Sequence, residues 1–141
     1  MVKRCGALVV LLATVLLASC SRTKSISPDE LHSDMSAVIS LAAETELFVG
    51  QVQQHRTTES FERGQLEYLY RQVADEIQQL RDARAEGSLA PRLGTCRSQL
   101  ESLAAELAVL KKNPTDGDRL SAAREQAARI RTTLENAENV R

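Results

Sequence analysis

The sequence has few of the residues that interrupt helices. Its 141 residues include three prolines and six glycines. Both residue types destabilise a helix interior, by about 1 kcal/mol for glycine and about 3 kcal/mol for proline relative to alanine. Their scarcity favours long helices over a fold built from many strands and turns.

Aromatic side chains and an excess of positive charge are also missing. There is no tryptophan, and there are only two phenylalanines and two tyrosines, with 18 basic against 19 acidic side chains. A surface that stacks nucleic-acid bases needs aromatic faces beside a cationic groove. The composition therefore argues against a nucleic-acid-binding protein.

Combinations of residues that carry catalysis or bind cofactors are absent as well. The two histidines, His32 and His55, lie 23 residues apart on one expected helix and cannot share a ligand through it. No Glu-x-x-His pair, Cys-x-x-Cys-His motif, nucleophile elbow or glycine-rich phosphate loop occurs. We therefore expect no enzyme activity, no metal and no cofactor. An enzyme or metal protein remains the least favoured hypothesis.

The first 20 residues carry the most specific pattern. Lys3 and Arg4 precede an apolar run of 13 residues, 6–18. As a helix this run would be about 20 Å long, shorter than the roughly 30 Å hydrocarbon core of a bilayer. A short apolar run behind positive charge is typical of a signal peptide.

The run ends in Leu17-Ala18-Ser19-Cys20, which resembles the lipobox of bacterial membrane lipoproteins. The resemblance implies that a diacylglyceryl group is attached to the Cys20 sulfur, that a peptidase cuts between Ser19 and Cys20, and that the new amine is acylated. Two or more acyl chains give stable membrane anchoring, whereas one gives marginal binding. An ordinary secretory signal with a chance cysteine and a short uncut anchor are the alternatives.

The resemblance also implies a cellular location. The mature chain would be lipid-anchored in a bacterial membrane and would face the periplasm. Ser21 stands where many inner-membrane lipoproteins of enteric bacteria carry aspartate, which favours the outer membrane in a Gram-negative host.

These observations predict three segments: a signal peptide over 1–19, the lipidated cysteine and a polar tether over 20–27, and a helical domain over 28–141. Cys96 is then the one free thiol of the mature domain, because Cys5 is removed and Cys20 is acylated. Its place on an apolar helical stripe favours an inert core thiol. An intermolecular disulfide or a reactive thiol is the alternative.

Four helices are expected in the mature domain. Ser27-Pro28-Asp29-Glu30 is a capping box that starts a helix running to about residue 55. A break near 56–58, a second helix ending at Gly87, a connector over 87–91 and a breaker cluster over 113–117 separate the others. Four stripes at helical spacing define the inner faces. Their members are Leu31, Met35, Val38, Ala42, Val49 and Val52; Phe61, Leu66, Leu69, Val73, Ile77 and Leu80; Leu93, Cys96, Leu100, Leu103, Leu107 and Leu110; and Leu120, Ala123, Ala127, Ile130, Leu134 and Ala137.

Short connectors make neighbouring helices antiparallel, so the predicted fold is all-α, an up-down four-helix bundle. A three-helix bundle, in which the first two helices are continuous, and coiled-coil hairpins are the alternatives. Leu47, Phe48, Tyr68 and Tyr70 lie away from the centres of their stripes. We identify these four as candidate contacts for a partner.

The leading functional hypothesis is a lipid-anchored cell-envelope protein that acts as a non-enzymatic interaction or scaffold module. Helix-helix contacts would bind an envelope protein or a second copy of the chain. The alternative is a periplasmic carrier or chaperone whose opened bundle binds apolar ligands or clients.

Overall fold

The computed structural model describes residues 24–139, which form four helices and one pair of two-residue strands. The helices are α1 (Pro28–Gln53), α2 (Glu59–Arg81), α3 (Leu89–Lys112) and α4 (Gly117–Asn139), and the strands are β1 (Lys24–Ser25) and β2 (Ala83–Arg84). Ser19 and Cys20, with the whole predicted signal segment, lie outside the described residues.

The helices pack as an up-down-up-down four-helix bundle, which confirms the predicted fold class. Close pairs join the start of α1 to the end of α4 and the end of α2 to the start of α3. Residues 54–58 separate α1 from α2, so the three-helix alternative is wrong. The most extensive packing between helices is that of α1 with α4, followed by that of α2 with α3.

The helix starts follow from capping side chains. The Ser27 backbone N–H donates to Glu30 Oε2 at 2.9 Å, and the Glu30 N–H donates to Ser27 Oγ at 3.2 Å, which completes the predicted capping box. Asp116 caps α4, because its carboxylate accepts from the backbone N–H groups of Asp118 and Arg119. Each cap satisfies backbone donors that have no partner inside the helix.

The end of α1 is a Schellman turn with histidine in the position that usually holds glycine. The Arg56 N–H donates to the Gln51 carbonyl, and the His55 N–H donates to the Val52 carbonyl. His55 has φ of 56°, in the left-handed region. A residue with a Cβ is strained there by about 1 kcal/mol, although histidine adopts it more often than most.

The second helix ends earlier than predicted, at Arg81 and not at Gly87. Arg97 of α3 explains this end, because its guanidinium donates to the backbone carbonyls of Leu80 and Ala83. Those carbonyls lie at the terminus of α2, where they have no partner within the helix. Gly87 is left-handed, with φ of 57°, in the connector that leads into α3.

The sequence predicts that residues 24–27 belong to a polar tether. In the structure these residues are docked on the bundle. The Lys24 N–H donates to the Asp82 carbonyl at 3.1 Å, and the Ile26 N–H donates to the Arg84 carbonyl at 2.8 Å. The resulting β1–β2 pair is parallel, and the Ile26 side chain is buried in the core. The N-terminal segment is therefore docked onto the α2–α3 connector from Lys24 onward.

The core is a continuous apolar cluster between the four helices. Its fully buried large side chains come from all four inner stripes, and they include Leu31, Met35, Leu69, Leu80, Leu100, Leu103, Leu107, Leu110, Ile130 and Leu134. Burial of each such side chain contributes about 1.5–3 kcal/mol before the conformational entropy of folding is subtracted. Ile77 and Ala137 of the predicted stripes are only partly buried.

Candidate interaction surface

The four predicted partner contacts have different environments. Leu47 is 64% exposed and Tyr68 is 47% exposed, so both are accessible to a partner. Phe48 is only 4% exposed and belongs to the core, and its proposed exposure was wrong. Tyr70 is half-buried, and the Lys111 ammonium lies 4.3 Å above its ring.

Phe61 is an exposed aromatic residue that the sequence had assigned to the core. It is 49% exposed, and its ring centroid lies 6.3 Å from that of Phe48. Tyr68 lies two helical turns further along the same face of α2. Phe61 lies in the first turn of α2, at the end of the bundle. Its place near the helix start could have indicated that it is exposed.

A second seam runs along the outer side of α1, opposite its core stripe. We call it the outer seam. Its exposed members are Ser33, Ser40, Leu47 and Gln54, spaced seven residues apart, whereas the intervening Ser36, Ala43 and buried Gly50 face α4. All are small or uncharged, and Leu47 is the largest apolar one. The outer seam is therefore one row of exposed polar side chains with a single large apolar residue, Leu47.

None of the outer-seam residues is charged, although the exposed Arg124 of α4 lies beside the seam at Gly50. Within residues 33–54, all of which are described, the charged side chains are Asp34, Glu44 and Glu46, and all three are half-buried. Gln65 Nε2 donates to Glu44 Oε1 at 2.8 Å, and Glu46 lies 3.4 Å from Arg131. The carboxylates beside the seam are thus directed to neighbouring helices.

The other three helices have charged outer faces. The exposed charged residues are Glu59, Arg63, Arg71, Asp75 and Arg81 on α2; Glu101, Lys111 and Lys112 on α3; and Asp118, Arg119, Arg124, Glu125 and Arg129 on α4. A solvated helix face carries charged or polar side chains, and on α1 the exposed side chains of residues 33–54 are polar and uncharged apart from the apolar Leu47. The outer seam of α1 therefore differs from the rest of the surface.

A shallow cleft adjoins Leu47 between α1 and α4. It has a volume of about 310 Å³, and its lining includes Ala43, Leu47, Gly50 and Arg124. A Cβ built on Gly50 would lie 3.7 Å from the Arg124 guanidinium carbon, which is an ordinary contact distance. The cleft extends the accessible surface of Leu47 towards α4.

A group of acidic side chains lies around Cys96 in the interior. Burial, and then the charges of Asp34 and Glu76, raise the pKa of the Cys96 thiol to about 12. Burial also raises the pKa of Asp34 and of Glu76. The thiolate is the reactive form of cysteine, so the fully buried Cys96 is an inert core thiol at neutral pH.

The N-terminal end of the bundle is fixed by an ion pair next to the strand pair. Lys24 Nζ lies 2.8 Å from Glu30 Oε1. This contact, together with the hydrogen bond from the Ser27 backbone, lowers the pKa of Glu30 to about 2. Both side chains are exposed to solvent, so the pair orients the segment more than it stabilises the fold.

The histidines do not form a common site. His32 Nδ1 lies 3.1 Å from Glu138 Oε1 on α4, whereas His55 is exposed at the end of α1. Within residues 24–139, no group of three or more His, Cys, Asp or Glu side chains is arranged to hold a metal ion.

By length and composition, α1 alone among the described helices could cross a membrane. Core helices of soluble proteins and signal sequences meet the same criterion. In the bundle, the apolar stripe of α1 is buried against the other helices.

No family model matches the chain, and neither the curated proteins nor the solved structures contain a match to it.

Proposed function

We propose that this chain is a lipid-anchored protein of the bacterial cell envelope, and that it acts as a non-enzymatic interaction or scaffold module through helix-helix contacts. Acyl chains on Cys20 would hold the bundle on the periplasmic side of a membrane, with the outer membrane favoured in a Gram-negative host. The outer seam of α1 and the exposed Leu47 would then bind another envelope protein or a second copy.

The observation that carries the proposal is the position of Leu17-Ala18-Ser19-Cys20 directly before a folded domain. Cys20 precedes the first strand residue, Lys24, by four positions. Four peptide steps span at most about 14 Å, so a lipid on Cys20 would hold the bundle close to the bilayer surface. The exposed Leu47 on α1 supports an interaction role, because it is a large apolar side chain that the fold leaves accessible.

Substitution of the acylation site tests the anchor. Cys20→Ala in the full chain, expressed in a bacterial host with a radiolabelled fatty acid, is expected to remove the label and the tight membrane association. Cys5→Ala is the matched control, because Cys5 lies in the segment predicted to be cleaved. A wild-type chain that carries no fatty acid by intact-mass measurement would refute the proposal.

Crosslinking in intact cells tests the interaction role. A photo-reactive amino acid at position 47 is expected to capture one defined protein, either an envelope protein or the chain itself. The same probe at Ala105, an exposed position on α3, is the control. Equal, diffuse labelling from both positions would argue against a specific contact on α1.

A further inference from the structure

We propose that a cavity between α2 and α3 binds a small carboxylate that carries a short apolar chain. The cavity has a volume of about 290 Å³, and its lining consists of Ile77 and Arg81 of α2 with Arg97, Leu100 and Glu101 of α3. Pockets for drug-sized ligands have volumes of about 300–1,000 Å³. The cavity therefore fits a smaller molecule.

The two arginines lie at one end of the cavity, and the apolar side chains lie further along it. The Arg97 side chain donates to the backbone carbonyls of Leu80 and Arg81, so both arginines are at the end of α2. Ile77 precedes Arg81 by one helical turn, and Leu100 follows Arg97 by about one turn on the antiparallel helix, roughly 5–6 Å away. A ligand with one charged end and one apolar end matches this order.

Both guanidinium groups are available to an anion. Arg97 uses its Nε and Nη2 atoms to donate to carbonyls at the end of α2, and its Nη1 atom has no hydrogen-bond partner within residues 24–139. Four other arginines in this part of the chain pair with carboxylates, whereas Arg81 and Arg97 pair with none. The carbonyl contacts already fix the Arg97 guanidinium, so it loses little side-chain entropy when it binds a carboxylate.

The other lining residues select the kind of anion. Leu100 is fully buried and Ile77 is half-buried, so Ile77 still has apolar surface that a short hydrocarbon chain would cover. Glu101 is exposed beside the cavity, and its charge opposes a second negative charge on the ligand. A monocarboxylate with an apolar chain therefore fits better than inorganic phosphate.

A phospholipid of the surrounding membrane has the opposite order of groups. The arginine end of the cavity lies next to the α2–α3 connector, onto which the N-terminal segment docks. Under the proposed anchor this end faces the bilayer, so the acyl chains of a membrane lipid would meet the arginines and not the apolar side chains. We therefore expect a free molecule and not a lipid headgroup. The cavity itself does not depend on the anchor.

Titration with hexanoate tests the site. The full chain, as the host processes it, is placed in phosphatidylcholine nanodiscs, and the isoleucine methyl signals are followed by NMR, with empty nanodiscs as the blank for partitioning. We expect the Ile77 signal to shift, and acetate and hexanol each to bind about tenfold more weakly than hexanoate, because each lacks one half of the ligand. An Ile77 signal that does not shift, or that shifts equally with acetate or hexanol, would overturn the proposal.

Two arginine variants test the charged end. Arg81→Gln should weaken hexanoate binding about tenfold. Arg84→Gln is the matched control, because Arg84 is an exposed arginine of β2 outside the cavity, and it should change the affinity by less than about twofold. Both side chains are exposed, so the thermal unfolding of both variants should match that of wild type. Equal hexanoate affinity in the two variants would refute the site.

Two further titrations test the class of ligand. Inorganic phosphate should bind more weakly than hexanoate, and Glu101→Gln should strengthen phosphate binding about threefold. Phosphate that binds wild type as tightly as hexanoate would overturn the assignment of a carboxylate. Nanodiscs that contain phosphatidylglycerol should give the same hexanoate affinity, and a loss of affinity there would show that a lipid headgroup occupies the site instead.

Discussion

Glu76 on α2 offers a quantitative test of the interior electrostatics. The residue is half-buried, and its Oε2 atom is buried with no hydrogen-bond partner among the described residues. Burial, and then the charges of Asp34 on α1 and Asp75 on α2, raise its pKa. The Glu76 charge also raises the pKa of Cys96 on α3. The ionised carboxylate is therefore less stable in the folded protein than in the unfolded chain.

The sign of the pH dependence follows from this direction. Because the folded pKa of Glu76 lies above the unfolded pKa, the folded protein binds more protons in the interval between them. Stability therefore increases as the pH falls through the folded pKa, and the penalty is fully present at pH values above it. Other carboxylates, such as Glu30 with its lowered pKa, change stability in the opposite direction.

Glu76→Gln removes the charge at nearly constant volume. The glutamine amide remains a buried polar group, but it removes the desolvation cost of the charge and its repulsion by Asp34 and Asp75, and because Glu76 is partly exposed we expect a gain of about 1 kcal/mol at pH 7. For a domain of this size, that gain raises the unfolding temperature by about 4 °C. The gain should shrink at about pH 4, where Glu76 of the wild type is itself protonated.

Urea unfolding of the soluble chain 21–141 at both pH values measures the effect. Asp75→Asn is the matched control, because Asp75 is the adjacent carboxylate and is exposed. Its gain at pH 7 should be smaller than that of Glu76→Gln. A Glu76→Gln variant that is no more stable than wild type at pH 7, or whose gain is the same at both pH values, would refute the reasoning.

Three further predictions concern the backbone and the buried thiol. His55→Gly should raise the free energy of unfolding by about 1 kcal/mol, because glycine adopts the left-handed conformation without strain; His55→Ala should give no gain in the same urea titration. Gly64→Ala and Gly94→Ala should each add about 1 kcal/mol, since a Cβ at either position meets no atom within 4 Å, and a double variant showing no gain in thermal unfolding would contradict this. Cys96 should react with a thiol reagent only after unfolding, because its thiol is buried with a pKa of about 12; rapid labelling of the native soluble chain would contradict its assignment as inert.

The helix starts and the inner stripes could be predicted because their causes are local. Ser27 and Glu30 hydrogen-bond to each other's backbone, so three residues of sequence specify the start of α1. The end of α2 has a different cause. It depends on Arg97, which is 16 positions beyond Arg81 in the chain and acts only when α3 folds back. No local pattern specifies such an end, and the β1–β2 pair likewise joins two segments that are far apart in the chain.

The candidate surface could be predicted only in part. Leu47 and Phe48 are neighbours about 100° apart around α1, and which of them faces solvent depends on where α2 lies. Phe48 is covered because the first turn of α2 places Phe61 beside it. The outer seam has no apolar periodicity that the sequence could reveal. Apart from Leu47, its exposed residues are polar and uncharged.

The docked N-terminal segment links the proposed anchor to the orientation of the whole bundle. If Cys20 carries the lipid, the chain leaves the bilayer and within four residues is hydrogen-bonded to the α2–α3 connector through Lys24 and Ile26. A force on the lipid would then be transmitted to the β1–β2 pair and not to the first turn of α1. Ile26 anchors this pair in the core, and Arg97 donates to the Ala83 carbonyl of β2. That end of the bundle is held towards the membrane, which leaves Leu47, near the other end of α1, about 30 Å further out at 1.5 Å per residue. A short docked linker thus ties the position of the exposed Leu47 to that of the proposed anchor.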